Sequence, residues 1–68
     1  KRVTIQITVP EGAIRQAVQM IVTDTNGRRT VYENVHKPGD KIDKTIEGSG
    51  QVRVQVYSNG ILLQEQTI

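Results

Sequence analysis

Val52, Val54 and Val56 alternate with Gln51, Arg53, Gln55 and Tyr57, and the same two-residue period runs through Val3, Ile5, Ile7 and Val9 against Thr4, Gln6 and Thr8. Successive side chains of a strand point to opposite faces, so this alternation specifies strands with one buried and one wet face. Val18, Met20 and Val22 repeat the pattern against Gln19 and Thr23, leaving Ile21 on the outer face as an anomaly or a partner contact. A helix over Glu11 to Met20 is the rival reading, because Ile14, Ala17, Val18 and Ile21 also fit the helical period. The β-branched run Ile21-Val22-Thr23 and the glycine at Gly12 count against it.

Turn signals separate these runs at regular intervals. Pro10 ends the first, since proline offers no ladder donor. Asp24-Thr25-Asn26-Gly27 is a hairpin turn in which Asn26 and Gly27 supply positive φ. It leads into a strand at about Arg29 to Val35, where Val31 and Val35 share one face and Tyr32 the other, leaving the core-facing side open. Lys37-Pro38-Gly39-Asp40 is the next turn. It precedes a charged strand, Lys41 to Glu47, in which only Ile42 and Ile46 are apolar, the composition of a protected sheet edge. Gly48-Ser49-Gly50 opens the valine strand, and Ser58-Asn59-Gly60 returns it into Ile61 to Ile68. Two registers fit that last hairpin. A two-residue turn sets Ser58 against Ile61 and Val56 against Leu63, whereas a three-residue loop sets Tyr57 against Ile61 and Val56 against Leu62. Neither gives a fully apolar partner face, so the last strand is expected to be partly exposed.

Six strands, Gly/Asn/Pro turns and no crossover helix predict an all-β fold, a small antiparallel sandwich of immunoglobulin or fibronectin type III style. Its 68 residues contain no Cys, Trp or Phe and two Tyr, so the core is aliphatic. A core of this size rarely supplies more than about 3–5 kcal/mol. It leaves no room for a deep substrate cleft, and a self-contained enzyme is not expected. Without cysteine there is no disulfide, thiolate metal site or cysteine nucleophile. No apolar run approaches the length of a membrane span, and no signal-peptide pattern is present. The chain opens directly into one strand pattern and stops within another, as expected of a domain excised from a longer protein.

The chemistry-bearing motifs are sparse. His36 is the single histidine and has no nucleophile motif to serve, so it reads as a loop histidine. Asp24-x-Asn26-Gly27 with Glu33 matches the latter part of a calcium loop, but Val22 falls where the first ligand belongs and the flanks are strands. Gly48-Ser49-Gly50 lacks the remainder of a phosphate loop and reads as a turn. Arg15, Arg28-Arg29, Lys37, Lys41 and Lys44 make a possible basic patch. A net charge of +2 steers weakly, and Tyr32 and Tyr57 are the only rings for base stacking. These cations read as a solvated face, and neither a nucleic-acid partner nor a cofactor is expected.

The strings Val22-Thr23-Asp24-Thr25-Asn26-Gly27-Arg28-Arg29-Thr30-Val31-Tyr32-Glu33, Lys37-Pro38-Gly39-Asp40 and Val52-Arg53-Val54-Gln55-Val56-Tyr57-Ser58-Asn59-Gly60 resemble the C-terminal immunoglobulin-like extracellular domain that follows PASTA repeats in membrane serine/threonine kinases of Gram-positive, mainly clostridial, bacteria. The resemblance spans nearly the whole chain and rests on turns and core valines. It implies a non-catalytic, extracellular module at the tip of a single-pass receptor. There the neighbouring repeats engage peptidoglycan, and this domain acts as a spacer, a cap or a weak interaction surface. No catalytic or ligand-binding residue is carried over. The expected contact residues for weak self-association are Ile21, the Arg28-Arg29 turn, and the charged strand with Lys41 and Lys44. The alternatives are a generic adhesion or spacer module of another surface protein or enzyme, and a small nucleic-acid binder using the basic loops.

Overall fold

The computed structural model describes residues 1–68 and contains six strands and no helix. β1 (Arg2–Thr8) pairs antiparallel with β4 (Lys41–Glu47) as one sheet. β2 (Gln16–Asp24), β3 (Gly27–His36), β5 (Arg53–Ser58) and β6 (Ile61–Thr67) form the other in the order β3-β2-β5-β6. All pairings are antiparallel. The two sheets make a small β-sandwich, as the alternation predicts, and Glu11 to Met20 is loop followed by strand.

The core follows the two-residue period. Val3, Ile5 and Val9 from the first alternating run, Val18, Met20 and Val22 from β2, Ile42 and Ile46 from β4, and Val52, Val54 and Val56 around β5 form one buried cluster, with Ile7, Val31 and Tyr32 packed at its margin. Directly opposed residues of an antiparallel pair share a face. Met20 faces Val56, Val22 faces Val54 and Val3 faces Ile46, so each ladder carries its apolar residues to the same side.

Two bulges alter the expected faces. Along β3 the register shifts between Met20 and Ile21, whose partners are Tyr32 and Thr30, and Val31 is the unpaired extra residue. The shift lets the consecutive Val31 and Tyr32 both pack against the core while Val35 is exposed, which settles the open face of this strand. In the last hairpin Ser58 faces Ile61 across Asn59 (φ 47°) and Gly60 (φ 79°), as in the two-residue turn. Beyond it Val56 faces Gln64, which neither anticipated register allows, because Leu63 bulges out of the ladder. β6 is accordingly exposed along most of its length. At the β2–β3 turn the positive φ falls on Gly27 alone (106°), while the Asn26 amide donates to Asp24 Oδ1 at 2.9 Å.

Candidate functional site

The fold gathers polar side chains into three clusters. Asp24 ends β2, and its side chain is wholly shielded from solvent. Its Oδ1 accepts from the Asn26 amide at 2.9 Å and from Arg29 Nη1 at 2.8 Å, and its Oδ2 accepts from the Ser49 amide at 2.8 Å. Arg29 Nη2 also reaches the Glu47 carbonyl at 3.2 Å. One carboxylate thus ties the β2–β3 turn to the Gly48-Ser49 loop, and its guanidinium partner ties that turn to the facing sheet. The Arg29 hydrogen bond, followed by the Ser49 amide, holds the Asp24 carboxyl down at about 2 and raises Arg29 in turn. Both Asp24 oxygens accept from the protein's own donors, which fixes the turn that the sequence reading assigns here.

At the opposite end, Tyr32 Oη lies 2.5 Å from His36 Nε2 with the two rings stacked, and His36 Nδ1 lies 3.0 Å from Asp40 Oδ2. Asp40 also accepts from the Lys37 amide at 3.2 Å and pairs with Lys37 Nζ at 3.1 Å. These contacts, the His36 one foremost, hold the Asp40 carboxyl at about 2. An ionised carboxylate only accepts, so Nδ1 donates to it, and the Tyr32 hydroxyl meets the other ring nitrogen. None of the five surface depressions is lined by Tyr32, His36 or Asp40. The chain of bonds fixes the β3–β4 loop, which receives the end of the first strand through Val9 N–H to Asp40 O at 2.7 Å and Gly39 N–H to Val9 O at 2.8 Å. Sequence reasoning missed this network. Alternation sets Tyr32 and His36 on one face of β3, but residues four apart in a strand lie about 13 Å apart along it, so the contact itself is not legible in the sequence.

The third cluster is buried. Ser58 Oγ donates to Gln16 Oε1 at 2.6 Å, and Gln16 Nε2 donates to the Pro10 and Ala13 carbonyls at 2.8 and 3.0 Å. It fastens the β1–β2 loop to the start of β2 and the end of β5. Nowhere do three or more acidic or histidine side chains converge as a metal site would require.

The expected contact residues do not form one surface. Ile21 is 9% exposed, because β2 is a central strand and its outer face is covered from both sides at the Thr30 and Gln55 positions. It is therefore not an exposed contact. Arg28 is exposed, whereas its neighbour Arg29 bonds Asp24, so the two side chains do not present one surface. Lys41 is exposed at the start of β4. Lys44 lies opposite Ile5 and is half-buried, on the core-facing side of β4 between Ile42 and Ile46, the placement of a lysine that discourages edge pairing. The exposed apolar residues sequence reasoning did not single out as contacts are Ile14, Val35, the β6 group Ile61, Leu62 and Leu63, and Ile68. Leu63 and Gln64 line a shallow groove with Gln6, Ile7, Thr8 and Pro10, on the open side between β1 and β6.

Comparison with protein-family profiles, with curated proteins and with solved structures gives no match to this chain.

Proposed function

We propose that this chain is a non-catalytic extracellular module of a membrane-anchored, cell-wall-sensing serine/threonine kinase, seated as a cap beyond PASTA repeats that engage peptidoglycan. The strings that carry the resemblance supply the β2–β3 and β3–β4 turns, the core of β5 and the last turn, which is what a scaffold module asks of its sequence. The titratable groups that converge, Asp24 with Arg29 and His36 with Asp40, are engaged in fastening loops.

The observation that supports the cap reading is that residues 1 and 68 share one end of the sandwich. Lys1 O accepts from Gly48 N–H at 2.9 Å, and Ile68 exchanges both backbone hydrogen bonds with Val52 at 2.9 Å, so residues 1 and 68 lie at the same end of a body 36 × 18 × 15 Å across. A segment joined at either residue meets the sandwich at that end. The Pro10–Ala13, Lys37–Asp40 and Asn59–Gly60 loops project from the other. An in-line spacer needs its two connections at opposite ends; a cap does not.

The test is a titration of the domain with a disaccharide-peptide fragment of peptidoglycan, followed by amide chemical shifts. The cap reading expects no saturable submillimolar binding. Saturable binding that maps to the distal loops would replace it with a ligand-sensing role. The residues that precede Lys1 in the parent chain are expected to hold PASTA repeats and one membrane helix; a different architecture there would favour a generic adhesion or spacer module.

A further inference from the structure

We infer that the free edge of β6 pairs with the β6 edge of a second copy of this chain, antiparallel about a two-fold axis, joining two four-stranded sheets into one of eight. This rests on the module reading above for its setting, but its physical basis is the contrast among the sheet edges. β4 carries Lys41, Asp43, Glu47 and the inward Lys44, and β3 carries Arg28, Arg29, Glu33 and the bulge at Val31. Charges, inward lysines and bulges are the devices that keep edges from pairing. β1 has no bulge, but Arg2 stands at its start and Pro10, which offers no N–H to an incoming strand, follows its end. β6 has a bulge at Leu63, and beyond it, over Gln64–Ile68, the one charge is Glu65, whose carboxylate already accepts from Gln55 Nε2 at 2.8 Å within its own sheet.

The register of such a pair follows from the ladder. Ile68 points both backbone groups at Val52, so by alternation Gln66 faces β5, whereas Glu65 and Thr67 present N–H and C=O to the free edge. A symmetric pairing that sets Glu65 against its own copy is opposed by like charge. Moving the axis to Gln66 sets Glu65 against Thr67 of the second copy and Gln66 against itself. A side-chain amide is donor and acceptor at once, so Gln66 is complementary to its own copy. That self-complementarity is why the occupant is a second copy rather than a different strand.

The pairing is weak by size. A standard stable interface takes about 800 Å² from each partner, close to a fifth of this domain's 4330 Å² surface, and a five-residue edge offers less. Two such domains held by one membrane gain effective concentration, which makes a weak contact useful.

The experiment is sedimentation equilibrium and amide shifts of the 68-residue chain from about 0.05 to 5 millimolar, the range suited to a small transient interface. We expect self-association with shifts centred on Gln64–Ile68. Thr67→Pro removes an edge N–H without touching the β5 ladder, and Gln66→Lys sets like charges face to face; each is expected to weaken association about tenfold or more. Lys41→Glu on β4 is expected to leave it unchanged. Strictly monomeric behaviour through the range, shifts centred on β3 or β4, or association indifferent to both Thr67→Pro and Gln66→Lys would overturn the proposal. Should Thr67→Pro not fold, Gln66→Lys still decides. No cell-wall fragment is present in this experiment, so its failure leaves the cap reading standing. Muropeptide binding by a monomer would defeat that reading alone.

Discussion

Arg29 Nη1 lies 2.8 Å from Asp24 Oδ1 across the β2–β3 hairpin, and the same guanidinium touches the Glu47 carbonyl of the facing sheet. A single ion pair therefore joins the two layers at the end of the sandwich where Lys1 and Ile68 lie. Asp40 does the corresponding work at the other end, through His36 and Lys37.

Both carboxyls carry an acid signature. Asp24 and Asp40 fall from 3.8 to about 2 in the folded chain, so the folded state binds the proton less readily than the unfolded one. Their contribution is fully present above the unfolded value near 3.8 and is lost as pH falls through the folded value near 2. The part of the denaturant midpoint that these two carboxyls supply should drop between about pH 4 and 2. Asp24→Asn with Asp40→Asn should lower the neutral midpoint and flatten the acid drop. A drop of undiminished steepness in that double variant would assign it to other groups.

Val54 is 1% exposed and lies opposite Val22 across the β2–β5 ladder. Val54→Ala should cost about 2 kcal/mol, since sandwiched strands have little freedom to collapse around a missing pair of methyls. Leu62→Ala, at an exposed position, should change stability by less than about 0.5 kcal/mol. Equal midpoints for the two variants in urea would contradict the assignment of faces.

Gly50 has φ 71°, and a Cβ there would run into Thr25 Oγ1. Gly50→Ala meets both backbone strain and a clash, and should cost more than about 1 kcal/mol. Adding Thr25→Ala removes the clashing oxygen but not the strained φ, so thermal melts should show partial recovery. Full recovery would mean that φ is not costly here, and none that the contact is not the cause.

How far the sequence discloses the fold depends on whether each signal is local. The period of Val52, Val54 and Val56 needs only neighbouring residues, and so do the turns at Asp24–Gly27 and Asn59-Gly60. The bulges at Val31 and Leu63 depend on how one strand sits on another, and no run of β3 or β6 alone marks them. Ile21 illustrates the same limit. Its place on the outer face is legible from alternation, but its burial comes from β3 and β5 flanking β2, a pairing set by residues distant in sequence. The Asp24–Arg29 pair was within reach, because a hairpin that sets Asp24 against Gly27 puts Arg29 opposite Val22, diagonal to Asp24 on one face. Alternation sends Arg28 and Arg29 to opposite faces, so the turn that carries them does not present both on one surface.

The buried pair Gln16 and Ser58 offers the sharpest separation of a contact's net value from the cost of breaking it. Both residues are at most 5% exposed, and Ser58 Oγ donates to Gln16 Oε1 while the Gln16 amide serves two loop carbonyls. Ser58→Ala strands Oε1 without a donor in a dry site, which should cost about 1–3 kcal/mol. Gln16→Met deprives the Pro10 and Ala13 carbonyls of their donor, but these sit beside the exposed loop Pro10–Ala13 and turn to water. In the double variant no stranded side-chain oxygen is left, so its loss should fall short of the sum of the two single losses by about 1 kcal/mol or more. Urea denaturation of the four proteins gives the coupling directly. Additive losses would show that the short Ser58–Gln16 hydrogen bond contributes nothing beyond packing, and that the β1–β2 loop is held by its backbone alone.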